Sequence, residues 1–213
     1  MPKPLAYQPG SGLHLNLSLQ RSGLPVFAGD DGARLARHFI AGIFAHAPAL
    51  NAITNPGTNS FKRLASLFSP NVALAYGAAN RAAAIRVPSA LGADALRLEL
   101  RFPDAAANPY LAIAAVLMAG LDGMARRLDP GPPVETDPRQ AVESWDLRRR
   151  AAPGFAFDLG EAVIALDRDR NFLTESGVFA DALVETLILE LTRQIRINRA
   201  LPHPNEYYLY FST

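Results

Sequence analysis

Cysteine is absent from all 213 residues. Disulfides, thiolate metal sites and cysteine nucleophiles are excluded with it. An excess of one sign of charge is also lacking: 21 basic residues face 20 acidic ones, for a formal net charge of +1. That balance argues against a nucleic-acid-binding footprint and against a polybasic membrane arm. Long apolar runs are missing. The longest, Tyr110 to Leu121, falls short of the roughly 20 residues that a membrane span requires. The opening Met1-Pro2-Lys3-Pro4 has no apolar signal-peptide core, so a soluble, cytoplasmic protein is expected, with no membrane and no nucleic-acid partner. There is no internal repeat, heptad seam, phosphate loop, Gly-x-Gly-x-x-Gly, serine elbow or His-Glu-x-x-His. Hydrophobic residues make up 49% of the chain, enough to bury a sizeable core in one large domain or two small ones.

Within that chain, Leu96-Arg97-Leu98-Glu99-Leu100-Arg101-Phe102 alternates without a fault. As a strand it turns Leu96, Leu98, Leu100 and Phe102 one way and Arg97, Glu99 and Arg101 the other. A lone strand of this kind could simply be half buried with a solvated face. The pattern recurs, however, in Leu13-His14-Leu15-Asn16-Leu17-Ser18-Leu19-Gln20 and around Arg86 in Ala84-Ile85-Arg86-Val87. Three strands with apolar backs and polar fronts suggest one curved sheet whose concave face holds a metal and an anion.

Taken in order, residues 1–12 read as loop and 13–20 as the first strand. Arg21-Ser22-Gly23 marks a turn into a short partner strand, Leu24 to Phe27. Asp30 and Asp31 can cap a helix from about Gly32 to Ala47. His38 and His46 lie two turns apart on it, too distant to share a metal, and both read as structural. Asn51 to Asn71 reads as a polar, turn-rich stretch. Asn108-Pro109 starts a helix apolar on nearly all sides, expected to be buried against the back of the sheet. Residues 129–158 read as a surface connection. Gly160 to Leu166 and Ala180 to Asn198 read as helices, the second with Leu183, Leu187, Ile188, Leu191 and Ile195 on one face. The aromatic end, Tyr207 to Phe211, could add a strand or a packing arm.

Arg63, Arg81, Arg86, Arg97 and Arg101 are the arginines expected near the sheet's polar face. Arginine is the planar, always-charged fork suited to carboxylate and phosphate. Two such charges roughly 4 Å apart cost about 4 kcal/mol at an effective dielectric of about 20. The cluster would therefore sit easily only with a polyanion, such as a nucleotide triphosphate. Glu99 and His14 could be two ligands of one divalent ion, with phosphates and water as the rest. The plain alternative is a set of scattered surface arginines.

The same residues resemble the C-terminal half of the catalytic domain of bacterial type I glutamine synthetase. The matching stretches are MPKPL at 1–5, GSGLHLNLSL at 10–19, NPGTNSFKRL at 55–64, NVALAYGAANRAAAIRVP at 71–88, RLELRFPDAAANPYLAIAAVLMAGLDG at 97–123, and LPHPNEYYLYFS near the end. The resemblance implies an α+β fold, a curved and mostly antiparallel sheet backed by helices. It implies that residues 1–213 are the C-terminal portion of that domain, without its N-terminal β-grasp domain and first half. It implies ATP and Mg2+ or Mn2+ as cofactors, and a ligase that makes γ-glutamyl phosphate from glutamate before ammonia displaces the phosphate. Position by position, His14 and Glu99 match metal ligands. Arg63 and Arg101 match arginines on the substrate carboxylate and the reacting phosphoryl group. Arg81 and Arg86 match arginines on the ATP phosphates and the transferring group, and Ser18 and Arg97 match nucleotide contacts. Gly10 lies in the loop that lines the amino-acid site.

The departures carry information too. The glutamates that complete both metal sites in the family belong to the half not found here. Asn16 stands where many members have a second histidine. Ser69 stands where a flap glutamate normally takes a proton from ammonium, and a hydroxyl cannot serve as that base near neutral pH. Trp145 falls where some members carry a regulatory tyrosine. Three readings follow: a glutamate–ammonia ligase part impaired in isolation, a γ-glutamyl ligase for another amine, or a non-catalytic remnant that joins oligomers or regulates a relative. The family's large rings imply a homo-oligomer, or a partner chain supplying the other half.

Overall fold

The computed structural model describes residues 1–65, 73–78, 80, 83–88, 96–135 and 154–211. In it the alternating leucines become the centre of a four-stranded sheet. Strand β6 (Leu98–Leu100) pairs antiparallel with β1 (Leu15–Leu17) on one side and β5 (Ala83–Arg86) on the other, and β4 (Ala73–Gly77) closes the order β1-β6-β5-β4 by pairing parallel with β5. Leu15, Leu100 and Ile85 share one register row, and Asn16, Glu99 and Arg86 share the next. Neighbouring rows face opposite ways, so the leucines enter the core and Glu99 joins Arg86 on the front. Leu98, Leu100 and Phe102 are fully buried. The alternation thus delivers one sheet, and it is mostly antiparallel in an α+β fold, as the resemblance implies.

The hairpin after β1 is β2 (Gln20–Arg21) and β3 (Leu24–Pro25). Its turn residues Ser22 and Gly23 have φ of 53° and 81°, the double positive φ that matches the twist of a two-residue hairpin.

Helix α1 (Gly29–Ala45) begins three residues before the expected start. Asp30 and Asp31 lie inside its first turn rather than capping it, where they suit the positive end of the helix dipole. It buries Phe39, Ile40 and Ile43. Helix α2 (Ala47–Thr54) follows at once, with Pro48 in its first turn, where no N–H is needed. The expected turn-rich stretch from Asn51 is corrected here. Asn51 and Thr54 belong to α2, α3 (Thr58–Leu64) follows, and Asn51, Thr54, Asn55 and Ser60 are buried. Their polarity is used internally. Asn51 Nδ2 donates to Asn55 Oδ1, Asn55 Nδ2 donates to Phe102 O and Asp104 Oδ2, and Asn51 Oδ1 accepts from Ala156 N–H. Buried polar groups persist when each finds a partner. Ser69 and the rest of 66–71 lie outside the described residues, as does Trp145.

Helix α4 (Pro109–Arg126) starts as expected, with Asn108 Oδ1 accepting from the N–H groups of Tyr110 and Leu111. Its packing corrects the sequence reading. It lies mainly on α1, not on the sheet. The residues it buries are small, Ala112, Ala115, Val116, Ala119, Gly120 and Gly123, while Tyr110, Ile113 and Leu121 are exposed. A Cβ on Gly42 or Gly123 would fall far inside contact distance of the other helix's backbone. This close crossing selects small residues at its centre, while Leu111, Leu117 and Met118 pack half buried at its margins. Helix α1 in turn meets the sheet, with Phe44 against Tyr76 at a ring separation of 6.4 Å and Arg37 Nη1 donating to the Tyr76 hydroxyl.

Helices α5 (Leu159–Arg168), α6 (Asn171–Thr174) and α7 (Asp181–Ala200) complete the helical layer, α5 packing on α2 and α7 on α5. Of the expected α7 face, Leu191 is buried with Val184, while Leu187, Ile188 and Ile195 are half buried and Leu183 is exposed. The aromatic end is neither strand nor packed arm. It forms α8 (Pro204–Tyr210), with Pro204 in the first turn and Glu206 Oε2 accepting from the N–H of His203, and it buries none of its residues. Among the described residues no helix is long and apolar enough to cross a membrane.

Candidate functional site

The front of the sheet gathers charge around one carboxylate. Glu99 sits on the central strand and its side chain is 11% exposed. Arg101, two residues on, places Nη1 2.6 Å from Glu99 Oε1. Arg86, its register partner on β5, places Nη1 3.0 Å from Oε2. His14, just before β1, places Nδ1 3.2 Å from Oε1. Three strands therefore bring together four of the sequence-predicted residues through ordinary β periodicity.

The electrostatics favour an anion. Burial opposes ionisation of Glu99, but hydrogen bonds from Arg86 and Arg101 outweigh it and hold its pKa below the ordinary carboxylate value. Burial lowers His14, the nearby Arg101 lowers it further, and the opposing pull of Glu99 does not reverse the shift. His14 is thus held toward its neutral form with a lone pair available. Two guanidiniums then face one carboxylate, and Arg86 Nε is buried without a hydrogen-bond partner. A buried unpaired donor is costly. An anionic ligand would supply both the acceptor and the counter-charge.

Arg63 contributes in another way. It comes from α3, is 7% exposed, and donates through Nη1 to Phe102 O and Pro103 O and through Nη2 to Arg101 O. Burial lowers its pKa, and the negative charge of Asp104 partly offsets this. Its guanidinium ties down the chain that follows β6. Gly10 and Gly12 lie against the Arg63 side chain: a Cβ on Gly12 would strike its guanidinium, and one on Gly10 would strike Pro2 O and crowd the Arg63 stem. The sequence marked these glycines as part of a loop; their role as a close cover for an arginine was not visible there. The missed participants are Asn55 and Asp104, whose buried link to the main chain at Phe102 holds the same segment. Their signal, an isolated Asn-Pro and a Pro-Asp, reads equally well as turn chemistry. Ser18 and Arg97 are exposed, and Arg81 lies outside the described residues.

A divalent cation can be tested against these donors. One ionised carboxylate and one neutral imidazole nitrogen, 3.2 Å apart, are the right chemistry. They are also too few: among the described residues no group of three or more His, Cys, Asp or Glu converges. The residues fit a metal as part of a ligand set, with the remainder supplied by ligand oxygens and other protein groups.

His38 and His46 stand apart from this cluster. His38 Nδ1 bonds Leu128 O at 2.7 Å. His46 is buried between Asp169 (Nδ1, 2.7 Å) and Asp122 (Nε2, 2.9 Å) and stacks on Phe172 at 4.0 Å. Both have structural partners, as their spacing suggested.

Comparison with known proteins follows the same pattern. The sequence profile of a family described as "Glutamine synthetase, catalytic domain" matches residues 1–210. Glutamine synthetase of Vibrio cholerae is 47% identical over 219 residues, and that of Rhizobium meliloti 44% identical over 218. Each alignment covers all of this chain and 45% of the relative, so the chain spans about half the length of the curated relatives it matches. Among solved structures, a GmaS/ADP complex superposes with a TM-score of 0.84 at 33% identity, covering the whole chain and 49% of that structure. Plasmodium falciparum glutamine synthetase superposes at 0.79 with 26% identity, covering 99% of this chain and 49% of that one.

Proposed function

The chain belongs to the glutamine synthetase catalytic-domain family, and on that premise we propose that it carries the ATP-facing half of an ATP-dependent ligase joining glutamate to an amine. The glutamate side-chain carboxylate attacks the γ-phosphorus of ATP, ADP leaves, and γ-glutamyl phosphate forms. The amine nitrogen then attacks the acyl carbon and phosphate leaves. Phosphoryl transfer needs little covalent help from protein; it needs charge neutralisation and alignment.

The residues divide that work. Arg86 and Arg101, with Arg81, offset charge on the transferring phosphoryl group. Ser18 and Arg97 lie on the nucleotide side. Gly10 and Arg63 line the amino-acid side, and Arg63 acts by fixing the backbone that carries Arg101. His14 and Glu99 would hold Mg2+ or Mn2+, which supplies further positive charge against the phosphates. The remaining ligands come from residues outside this sequence, in a longer polypeptide, a partner chain or another subunit of an oligomer, so turnover by the chain alone is expected to be impaired.

The observation that carries this reading is the Glu99 cluster, an ionised carboxylate with two guanidiniums and a neutral imidazole within 3.2 Å. Ammonia is the first candidate nucleophile. Ser69, where the family's flap glutamate would deprotonate ammonium, favours a second reading in which the nucleophile is an amine other than ammonia that does not need the same ammonium pocket.

Calorimetric titration of ATP with Mg2+ into the folded chain tests the proposal. Saturable binding is expected, weakened at least tenfold by Arg97→Ala and by Glu99→Ala. A folded wild-type chain that takes up no nucleotide would point instead to a non-catalytic remnant with an oligomerising or regulatory role.

A further inference from the structure

A second group of cations lies where α1 meets the C-terminal end of α4. An open cavity of about 440 Å³ is lined there by Arg34, Leu35, His38, Met124 and Arg127. None of the five belongs to the Glu99 cluster. Two guanidiniums and an imidazole share this cavity with two apolar side chains, and no carboxylate among the described residues lines it. Arg34 reaches Asp31 at 3.0 Å, but both side chains are mostly exposed, and such pairs are weak enough to exchange for a better partner. Arg127 makes no ion pair with any described carboxylate.

The backbone at Arg127 is the independent observation. It ends α4 in the left-handed conformation, at φ 54° and ψ 43°. Its N–H bonds Met124 O, and the N–H of Leu128 bonds Gly123 O. This paired closure ordinarily uses glycine, and a side chain there costs about 1 kcal/mol. Arginine occupies the position nonetheless, and its side chain lines the cavity. His38 is set by the same turn. Its Nδ1 donates to Leu128 O, because a carbonyl can only accept, which leaves Nε2 as the ring's free polar atom.

We propose that this cavity binds a small organic anion with an apolar body, an aryl or short alkyl carboxylate. Arg34 and Arg127 take the charged head, Leu35 and Met124 pack on the body, and His38 Nε2 offers one further polar contact. The site is separate from the ligase chemistry proposed for Glu99, and its test does not depend on that chemistry.

The experiment is calorimetric titration of phenylacetate into the full chain, with phenylacetamide as the uncharged isostere and inorganic phosphate as a charge without a body. The decisive variant is Arg127→Gly, because glycine suits the backbone there. It removes the cation while holding or raising the melting temperature. Saturable phenylacetate binding is expected, weakened at least tenfold in Arg127→Gly, with the amide and phosphate each at least tenfold weaker than phenylacetate. Phenylacetate affinity is expected to be unchanged by saturating ATP with Mg2+. The proposal is overturned if the wild type does not bind phenylacetate, if Arg127→Gly binds it equally well, if the amide or phosphate matches it, or if ATP displaces it.

Discussion

Glu99 is the only counter-charge within reach of both Arg86 and Arg101 among the described residues. Glu99→Gln is therefore expected to destabilise the fold by about 3 kcal/mol, the scale for breaking a buried pair from one side, as read by chemical denaturation. Arg97→Ala, on an exposed side chain, should stay within about 0.5 kcal/mol of wild type. His46 makes the pH prediction. Burial disfavours its charged form, but hydrogen bonds to Asp169 and Asp122 outweigh that and raise its pKa. The folded value lies above the unfolded value of about 6.5, so the pairing stabilises fully below about pH 6.5. That contribution is lost as pH rises through the raised folded value. The urea midpoint of wild type is expected to fall from pH 6 toward pH 9 relative to His46→Gln, and parallel curves would refute the charged pairing.

Elements make sharper demands than residue type suggests. Gly123→Ala gains helix propensity worth about 1 kcal/mol, yet its Cβ would strike the backbone of Gly42 and His38. A net loss of about 2 kcal/mol is expected, measured as a lower denaturation midpoint. The same crossing explains what the sequence could and could not convey. Strand β6 was legible because leucines and charges alternate with the period of a pleat, and Asn108 was legible as a cap. His14, Arg86, Glu99 and Arg101 were placed on one face by that alternation alone. Helix α4 misled because its leucines and isoleucine signal burial, while the residues it fully buries are glycine, alanine and one valine, set close against α1. Helix α3 and the end of α2 were hidden because Asn51, Asn55 and Ser60 read as solvent-seeking, and their partners lie 47 to 105 residues away or within one helical turn. Arg63 was recognisable as a cation, but nothing local announces that main-chain carbonyls would take its Nη atoms.

The molecule as a whole leaves apolar surface unused. Tyr110, Ile113 and Leu121 form a stripe on α4, and Leu189, Tyr208 and Phe211 are exposed toward the C-terminus. Patches of this kind promote association. Sedimentation velocity is expected to show species heavier than the 22.9 kDa chain, shifting toward monomer in Ile113→Glu/Leu121→Glu. A strictly monomeric wild type would contradict this. One further consequence follows from the order of the strands. Arg86 meets Glu99 across a separation of 13 residues, whereas Leu15 meets Leu100 across 85. Closing the longer loop costs about 1.7 kcal/mol more, and β1 has three residues with which to recover it. The arginine–glutamate pair can therefore form early in folding, while His14 is delivered only when the first segment docks. Among the described residues, strand β1 is also an edge of the sheet, paired on one side only. Amide protons of β1 should exchange with deuterium before those of β5 and β6, so the metal half of the site would open and close on a timescale of its own while the phosphate half stays assembled.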